Sequence, residues 1–408
     1  MSQHIPAQNH GSAAPDRWVY VILGIVIMMC LGTVYSYGVF RIQVEKVFGI
    51  GAAQSGMPYM TALASYALAM FLTGRHLDKF KPQRLIALGG LLVSLGWILS
   101  AHASGIFVLT LTYGLIGGTG VGIVYGVPMA VAARWFPEKK GLAVGMVLIG
   151  FGLSPLITAP LAGALVQQYG VMSTFRILGI CFGIIIPALS LPFRYPSGSK
   201  PAKLNTANHA NSSPNESSTS RMIKSRSFLA LYANFIIGTT IGLMLIGLTG
   251  GVGVDLIGLS PKEVSSLMAL FAIFNGIGRP VFGWVTDKLT SKKVMYISYA
   301  LIMASAVLIQ FAGKGNVLIY AMSFSIFWFN LGGWLAIAPA STLSLFGTKN
   351  YSRNYGVVFT AYGIGAIGGV LTSGLLMDLH QSYQYVFIYV IALCLTGILI
   401  TAKLMRTH

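Results

Sequence analysis

One arginine stands where charge should be excluded: Arg279, in Phe274-Asn275-Gly-Ile-Gly-Arg279-Pro280, inside an apolar run from roughly 262 to 286. A guanidinium at the centre of a membrane helix costs about 2.5–3.5 kcal/mol on insertion scales, so it must face a water-filled cavity or a partner. No acidic residue lies within a turn or two of it on the same run, and none is expected at its depth elsewhere. Its planar fork of donors matches a carboxylate through two parallel hydrogen bonds, which points to a small organic anion as ligand. Snorkelling to the interface, or a structural ion pair, are the other roles open to such a residue. One buried cation balances one carboxylate, and a second negative charge would stay unpaired in low dielectric.

Asn275 precedes Arg279 by four residues and shares its helix face; as an amide it cannot titrate and is read as a neutral donor to a carboxylate or hydroxyl. Tyr125, Asn330, Phe359 and Tyr362 fall at comparable depth in other apolar runs. A tyrosine offers a hydroxyl to a carboxylate, and a phenylalanine an apolar wall to a short alkyl chain. Ordinary helix packing is the alternative for each. An anion entering alone would be opposed by about 2.3 kcal/mol per 100 mV of interior-negative potential, which a co-transported proton removes. The candidate carriers are Asp255, in an otherwise apolar stretch expected to raise its pKa, and Asp378 and His380; each is alternatively a wetted loop residue.

The elements that must position these residues follow from composition. Of 408 residues 55% are hydrophobic and only 9% charged, against roughly 25% charged in soluble domains, and the 49 glycines suit membrane helices packed backbone to backbone. A ruler of about 20 apolar residues gives twelve spans, near 18–40, 52–74, 84–103, 107–133, 141–166 and 174–193, then 228–252, 262–286, 293–312, 317–342, 353–377 and 385–404. The expected fold is an all-α integral membrane protein of two six-helix pseudo-symmetric halves, 18–193 and 228–404. A polar tail (1–17), a flexible linker (194–227) rich in Ser, Asn and Pro, and a short tail (405–408) complete the chain.

The formal charge of +18 would suggest nucleic acid in a soluble protein, but here it sorts by loop. Alternate loops carry 21 cations on one side against 5 on the other, Arg41 among the five. The positive-inside rule makes the rich side, and both termini, cytoplasmic, in what is expected to be a prokaryotic inner membrane. No cleavable signal is apparent. Cys30, Cys181 and Cys394 lie inside separate runs and are expected as free, packed thiols. No cofactor, metal, nucleic acid or obligate protein partner is implied. The letters Gly363-Ile-Gly365-Ala-Ile-Gly368 match a dinucleotide pattern but lack the preceding strand it requires, and neither a Walker motif nor His-Glu-x-x-His occurs, so an enzyme is not expected.

The halves repeat. Gly74-Arg-His-Leu-Asp78-Lys79 after the second run corresponds to Gly283-Trp-Val-Thr-Asp287-Lys288 after the eighth. The reading is a gating interface in which Gly74 and Gly283 admit close backbones while Asp78 and Asp287 cap or pair with cations. These segments resemble the loop signature of the major facilitator superfamily, and the resemblance covers essentially the whole chain. Gly118-Thr-Gly120-Val-Gly122, Arg134-Trp-Phe-Pro137 and Gly150-Phe-Gly152-Leu-Ser-Pro155 look like its monocarboxylate porter and oxalate:formate antiporter branch. The glycines are read as letting spans 4 and 5 pack closely.

The resemblance implies alternating access about a midplane site, with spans 1, 4, 7 and 10 lining the cavity. The single buried cation favours, within that branch, a monocarboxylate of the lactate, pyruvate or acetate type over oxalate, and the membrane potential favours carrying it with a proton. Where the porters have an aspartate four residues before this arginine, Asn275 stands, and the porters' span-1 lysine and the exchanger's span-11 cation are missing. Anion exchange, or a non-transporting sensor on the same fold, are the alternatives.

Overall fold

A computed structural model describes residues 17–74, 79–136, 140–196, 218–347 and 351–405. In the first half the helices are α1 (Trp18–Phe48), α2 (Met57–Gly74), α3 (Pro82–Ser100), α4 (Ile106–Trp135), α5 (140–169) and α6 (171–190). In the second they are α7 (Arg226–Leu256), α8 (Pro261–Lys288), α9 (Ser291–Phe311), α10 (Val317–Phe346), α11 (Tyr351–His380) and α12 (Tyr383–Leu404). Among the described residues, ten continuous segments are long and apolar enough to cross a membrane. One of them, Ala143–Ser190, has 48 residues, far beyond one crossing, and Gly170 at φ +77° breaks it into α5 and α6. With α2, more polar than the rest, the crossings number twelve.

Local sequence explains where the helices begin. Pro82 opens α3 because its missing N–H falls where no intrahelical acceptor exists. Ser260 and Glu263 form a reciprocal capping box at the head of α8. Leu88, Leu91, Leu95 and Leu99 of α3 are exposed on one helical stripe, the face turned to lipid.

The halves meet along two seams that a six-helix duplication would relate, α2 against α11 and α5 against α8. Glycines make both possible: a Cβ on Gly363 would stand 3.0 Å from Ala67, and one on Gly163 would stand 2.7 Å from the Ser265 hydroxyl. A third approach, of Gly38 to Gly250, joins α1 to α7.

Several expectations are revised. The first run extends to Phe48, so Arg41, counted with the loop cations, lies inside α1 and is buried. The glycines of α4 do not face α5: Gly118 and Gly122 abut α2, and Gly120 abuts α3. Cys181 is exposed rather than packed, although all three thiols are free. Residues 197–217 of the linker lie outside the described residues, while Thr219–Ile223 forms a short helix held to α11 by Thr219 donating to Asn354 at 2.8 Å. Asp78 and Pro137 also lie outside them.

Candidate functional site at the seam of the two halves

The local sequence of α8 places a different demand on each residue around Arg279. Gly278 turns toward α10, where a Cβ would collide with the Phe329 carbonyl, and Gly276 turns toward Leu153 of α5. Gly332 of α10 in turn abuts the Asn275 carbonyl. Two helices can come this close only where side chains are absent. Asn275 and Arg279, one turn apart, are thereby held at the α5 seam, 0% and 6% exposed. Facing them is Gly152: a Cβ there would lie 2.9 Å from Asn275 Oδ1 and 3.2 Å from Arg279 Nε.

The hydrogen bonds of this pair are incomplete. Arg279 Nη1 donates to the Leu148 carbonyl of α5 at 2.7 Å, across the two halves. Its Nε and Nη2 are buried and unpartnered. Those two nitrogens share one edge of the guanidinium and project parallel N–H bonds, the edge that grips a carboxylate with two hydrogen bonds. Asn275 Nδ2 donates to the Trp328 carbonyl at 3.0 Å, leaving Oδ1 buried without a donor. Trp328 takes one of the two N–H bonds of the amide, so Asn275 presents an acceptor at Oδ1 beside the donor role expected for it.

An aromatic cluster adjoins the pair through Phe151, the neighbour of Gly152. Phe151 meets Tyr35 edge-on at 5.1 Å and Tyr125 at 5.2 Å, and lies 5.9 Å from Tyr66. Phe359 and Tyr362 of α11 stack on each other at 5.1 Å, and Tyr362 meets Tyr66 at 5.5 Å. The Tyr35 and Tyr362 hydroxyls are 2.8 Å apart, a second polar contact between the halves. Tyr35 also lies within electrostatic reach of Arg279. Arg279, Asn275, Tyr125, Phe359 and Tyr362 thus border one region.

Asn330 does not join them. It accepts from Ser298 of α9 at 2.8 Å and donates to the Ile326 carbonyl at 2.8 Å, a satisfied contact within the second half. Asp255 is exposed and accepts from the Tyr383 hydroxyl at 2.7 Å, so the apolar burial invoked for it is absent. Asp378, also exposed, accepts the Ala52 and Ala53 amides at 3.1 and 3.3 Å, which ties α11 to the short helical turn Ala52–Ser55 before α2. His380 is exposed and stacks on Tyr385 at 4.0 Å.

At Gly74 an added Cβ would meet nothing within 4 Å among the described residues, and at Gly283 only Ala336 at 4.0 Å. Neither glycine therefore sits at a close approach in this conformation. Asp287 lies near the C-terminal end of α8.

Tyr35, Tyr66, Phe151 and Gly152 were missed in the sequence. A usable signal existed for Tyr35. It falls in Gly32–Ser36, where α1 tightens into a 3-10 turn with all five residues buried, and interrupted membrane helices mark binding sites in transporters. Phe151 and Gly152 were read only as part of a packing motif. In fact Gly150 fits against the Ile25 carbonyl of α1 while Gly152 opens onto Asn275 and Arg279.

The fold and the site now stand beside known proteins. The Major Facilitator Superfamily model matches residues 21–253 and 227–408. The oxalate:formate antiporter of Oxalobacter formigenes is 30% identical over 358 residues, covering 87% of this chain and 83% of that protein. Monocarboxylate transporter 12 of Xenopus laevis is 25% identical over 390 residues, covering 91% and 85%. The crystal structure of a bacterial homologue of the human lysosomal transporter Spinster, inward-facing and unoccupied, superposes with a TM-score of 0.69 at 14% identity, covering 96% of this chain and 94% of that one. Twelve apolar crossings in two duplicated halves, joined at seams closed by glycine, are thus those of a transporter and not an enzyme, and the chain belongs to the Major Facilitator Superfamily.

Proposed function

We propose that the protein is a secondary transporter of a small monocarboxylate, of the lactate, pyruvate or acetate type, moved with a proton by alternating access. The observation that carries this reading is the buried, unpartnered Nε–Nη2 edge of Arg279. A buried donor without an acceptor costs about 1–3 kcal/mol, and more when charged, so the edge is built for a ligand that arrives and leaves. The aromatic rings that adjoin Gly152 through Phe151 supply an apolar wall suited to a short alkyl chain. Asn275 Oδ1 accepts a hydroxyl or a protonated acid oxygen from the same ligand.

Both termini and the cation-rich loops face the cytoplasm in this reading, across a prokaryotic inner membrane. Arg279 reaches the carboxylate from whichever side is open, and its bond to Leu148 breaks when the α5–α8 seam parts. Coupled exchange of two anions is the second reading. It is favoured by the cost that an empty carrier incurs when it closes over unpartnered donors, and by a relative that is an oxalate:formate antiporter.

Uptake by proteoliposomes, with a panel of labelled mono- and dicarboxylates at two external pH values, tests the proposal. Accumulation driven by an inward proton gradient is expected for monocarboxylates. Uptake that ignores pH and requires an internal anion would replace symport with exchange, and equal uptake by Arg279→Ala would overturn the site.

A further inference from the structure

At the cation-rich end of the first half, the start of α1, the start of α3 and the chain leaving α6 enclose a half-open cavity of about 310 Å³, lined by Val19, Tyr20, Gln83, Leu191, Pro192 and Arg194. We propose that this cavity binds the headgroup of an anionic phospholipid. It shares no lining residue with the Arg279 site and stands independently of the transport reading.

The lining has two chemistries. Val19 and Leu191 are exposed apolar side chains, 39% and 71% accessible, at the rim where the bundle meets the bilayer. Arg194 supplies the positive charge, and it is held in place: its Nε donates to the Tyr20 hydroxyl at 3.2 Å, and its carbonyl accepts from Trp135 Nε1 at 2.7 Å. Tyr20 is itself 2% exposed, stacked on Trp135 at 4.9 Å and set against Phe193 at 5.9 Å. Among the described residues the two terminal nitrogens of Arg194 carry no hydrogen bond, and the Tyr20 hydroxyl keeps its own proton to donate. That combination recognises a phosphate oxygen pair.

A soluble phosphate would have no use for the apolar rim. An amphipathic anion uses both parts, its acyl chains along Val19 and Leu191 and its phosphate on Arg194. Indole and phenol rings sit by preference at this level of a membrane, and basic pockets between helices at the cytoplasmic rim suit anionic headgroups. Gln83 donates to the Leu191 carbonyl, so the walls contributed by α3 and α6 are joined before any lipid binds. The inferred role is a clamp on three segments of the first half, close to where the linker leaves it.

The test is thermal unfolding of the full chain in detergent, titrated with phosphatidylglycerol, phosphatidylcholine or soluble glycerol phosphate. Phosphatidylglycerol should raise the melting temperature by about 3 °C more than phosphatidylcholine, as specific binding to the native state requires. Glycerol phosphate should have no effect. Arg194→Gln should remove most of the difference and Arg194→Lys part of it. Val19→Trp, which fills the cavity and keeps the charge, should remove it too, whereas Lys288→Gln at the same end should not. A full phosphatidylglycerol response in both Arg194→Gln and Val19→Trp would overturn the proposal, as would an equal response to glycerol phosphate.

Discussion

Two arginines are buried to nearly the same degree, Arg41 at 7% exposure and Arg279 at 6%, yet their surroundings are opposite. Every nitrogen of Arg41 is engaged: Nε with Glu45 at 3.2 Å and Ser55 at 3.0 Å, Nη1 with the Gly247 carbonyl at 3.3 Å, and Nη2 with the Ala52 carbonyl at 2.7 Å. At Arg279 one nitrogen of three is engaged. Both reach across to the other half through a backbone carbonyl. The difference is the missing carboxylate, which Arg41 has in Glu45 of its own helix and Arg279 lacks. A guanidinium that brings its own counter-ion holds a seam together, and one that does not is, under the proposed function, open to a ligand.

The largest expected effects separate these two roles. Arg279→Gln should lower kcat/KM for uptake by about 100-fold or more, about 2.7 kcal/mol of transition-state binding, while leaving thermal stability intact or slightly raised, since an unpaired buried charge is removed. Arg41→Gln should do the reverse. It leaves Glu45, 30% exposed, without its cation and the Gly247 and Ala52 carbonyls without their donor, a loss of about 1–3 kcal/mol, seen as poor folded yield and a lowered melting temperature. Uptake per folded molecule should change little. If Arg279→Gln melted early and Arg41→Gln abolished uptake without melting, the assignment of the two arginines would be exchanged.

Next in size is Gly152→Ala, which sets a methyl 2.9 Å from Asn275 Oδ1 and 3.2 Å from Arg279 Nε. KM for the anion should rise about tenfold, or about 1.4 kcal/mol, with the effect growing with the length of the substrate's alkyl chain. Gly120→Ala, which meets the Gly89 carbonyl and Val93 within the first half, should instead reduce folding and leave KM alone. Equal shifts of KM in the two variants would remove Gly152 from the site.

The contrast between the arginines also shows where sequence reading runs out. The twelve crossings and the duplication were legible because hydropathy and the two Gly–Asp–Lys loops are properties of the chain itself. Arg279 was legible because no acid lies within a turn or two of it in its run to excuse it. Arg41 was misjudged because α1 runs eight residues beyond the length the ruler allows, and helix length past the bilayer core leaves little trace in hydropathy. Asn275 is read from the sequence as a donor alone, and its free acceptor Oδ1 was not legible, since the partner that takes one of its N–H bonds, the Trp328 carbonyl, lies 53 positions away. Asn330, like Asn275 a lone amide in an apolar run, has both its amide oxygen and its amide nitrogen bonded within the second half, whereas Asn275 keeps Oδ1 unpartnered. No periodicity distinguishes the two. The seam glycines read as one class and divide by which helix each faces, information that only packing supplies.

The smallest effects concern carboxylates at the end of the molecule away from the cation-rich loops, where the comparison is between a clasp and a proton carrier. Asp378 of the second half accepts two amides of the first, and Arg41 donates to the Ala52 carbonyl and the Ser55 hydroxyl of the same short turn, so that turn is held from both halves. Asp378→Asn should weaken the clasp by about 1 kcal/mol. The measurable consequence is about fivefold faster labelling of Val370→Cys, next to Gly56 in this seam, by a membrane-impermeant thiol reagent in a background without Cys30, Cys181 and Cys394. Asp255 is bonded to Tyr383, on the last helix of its own half, so its loss should leave labelling unchanged. If Asp255 carries the proton, Asp255→Asn reduces gradient-driven accumulation while exchange of internal for external anion continues. Should accumulation survive in Asp255→Asn and fail in Asp378→Asn, the clasp itself would be the protonated element, and opening of that end of the seam would be the step that the proton drives.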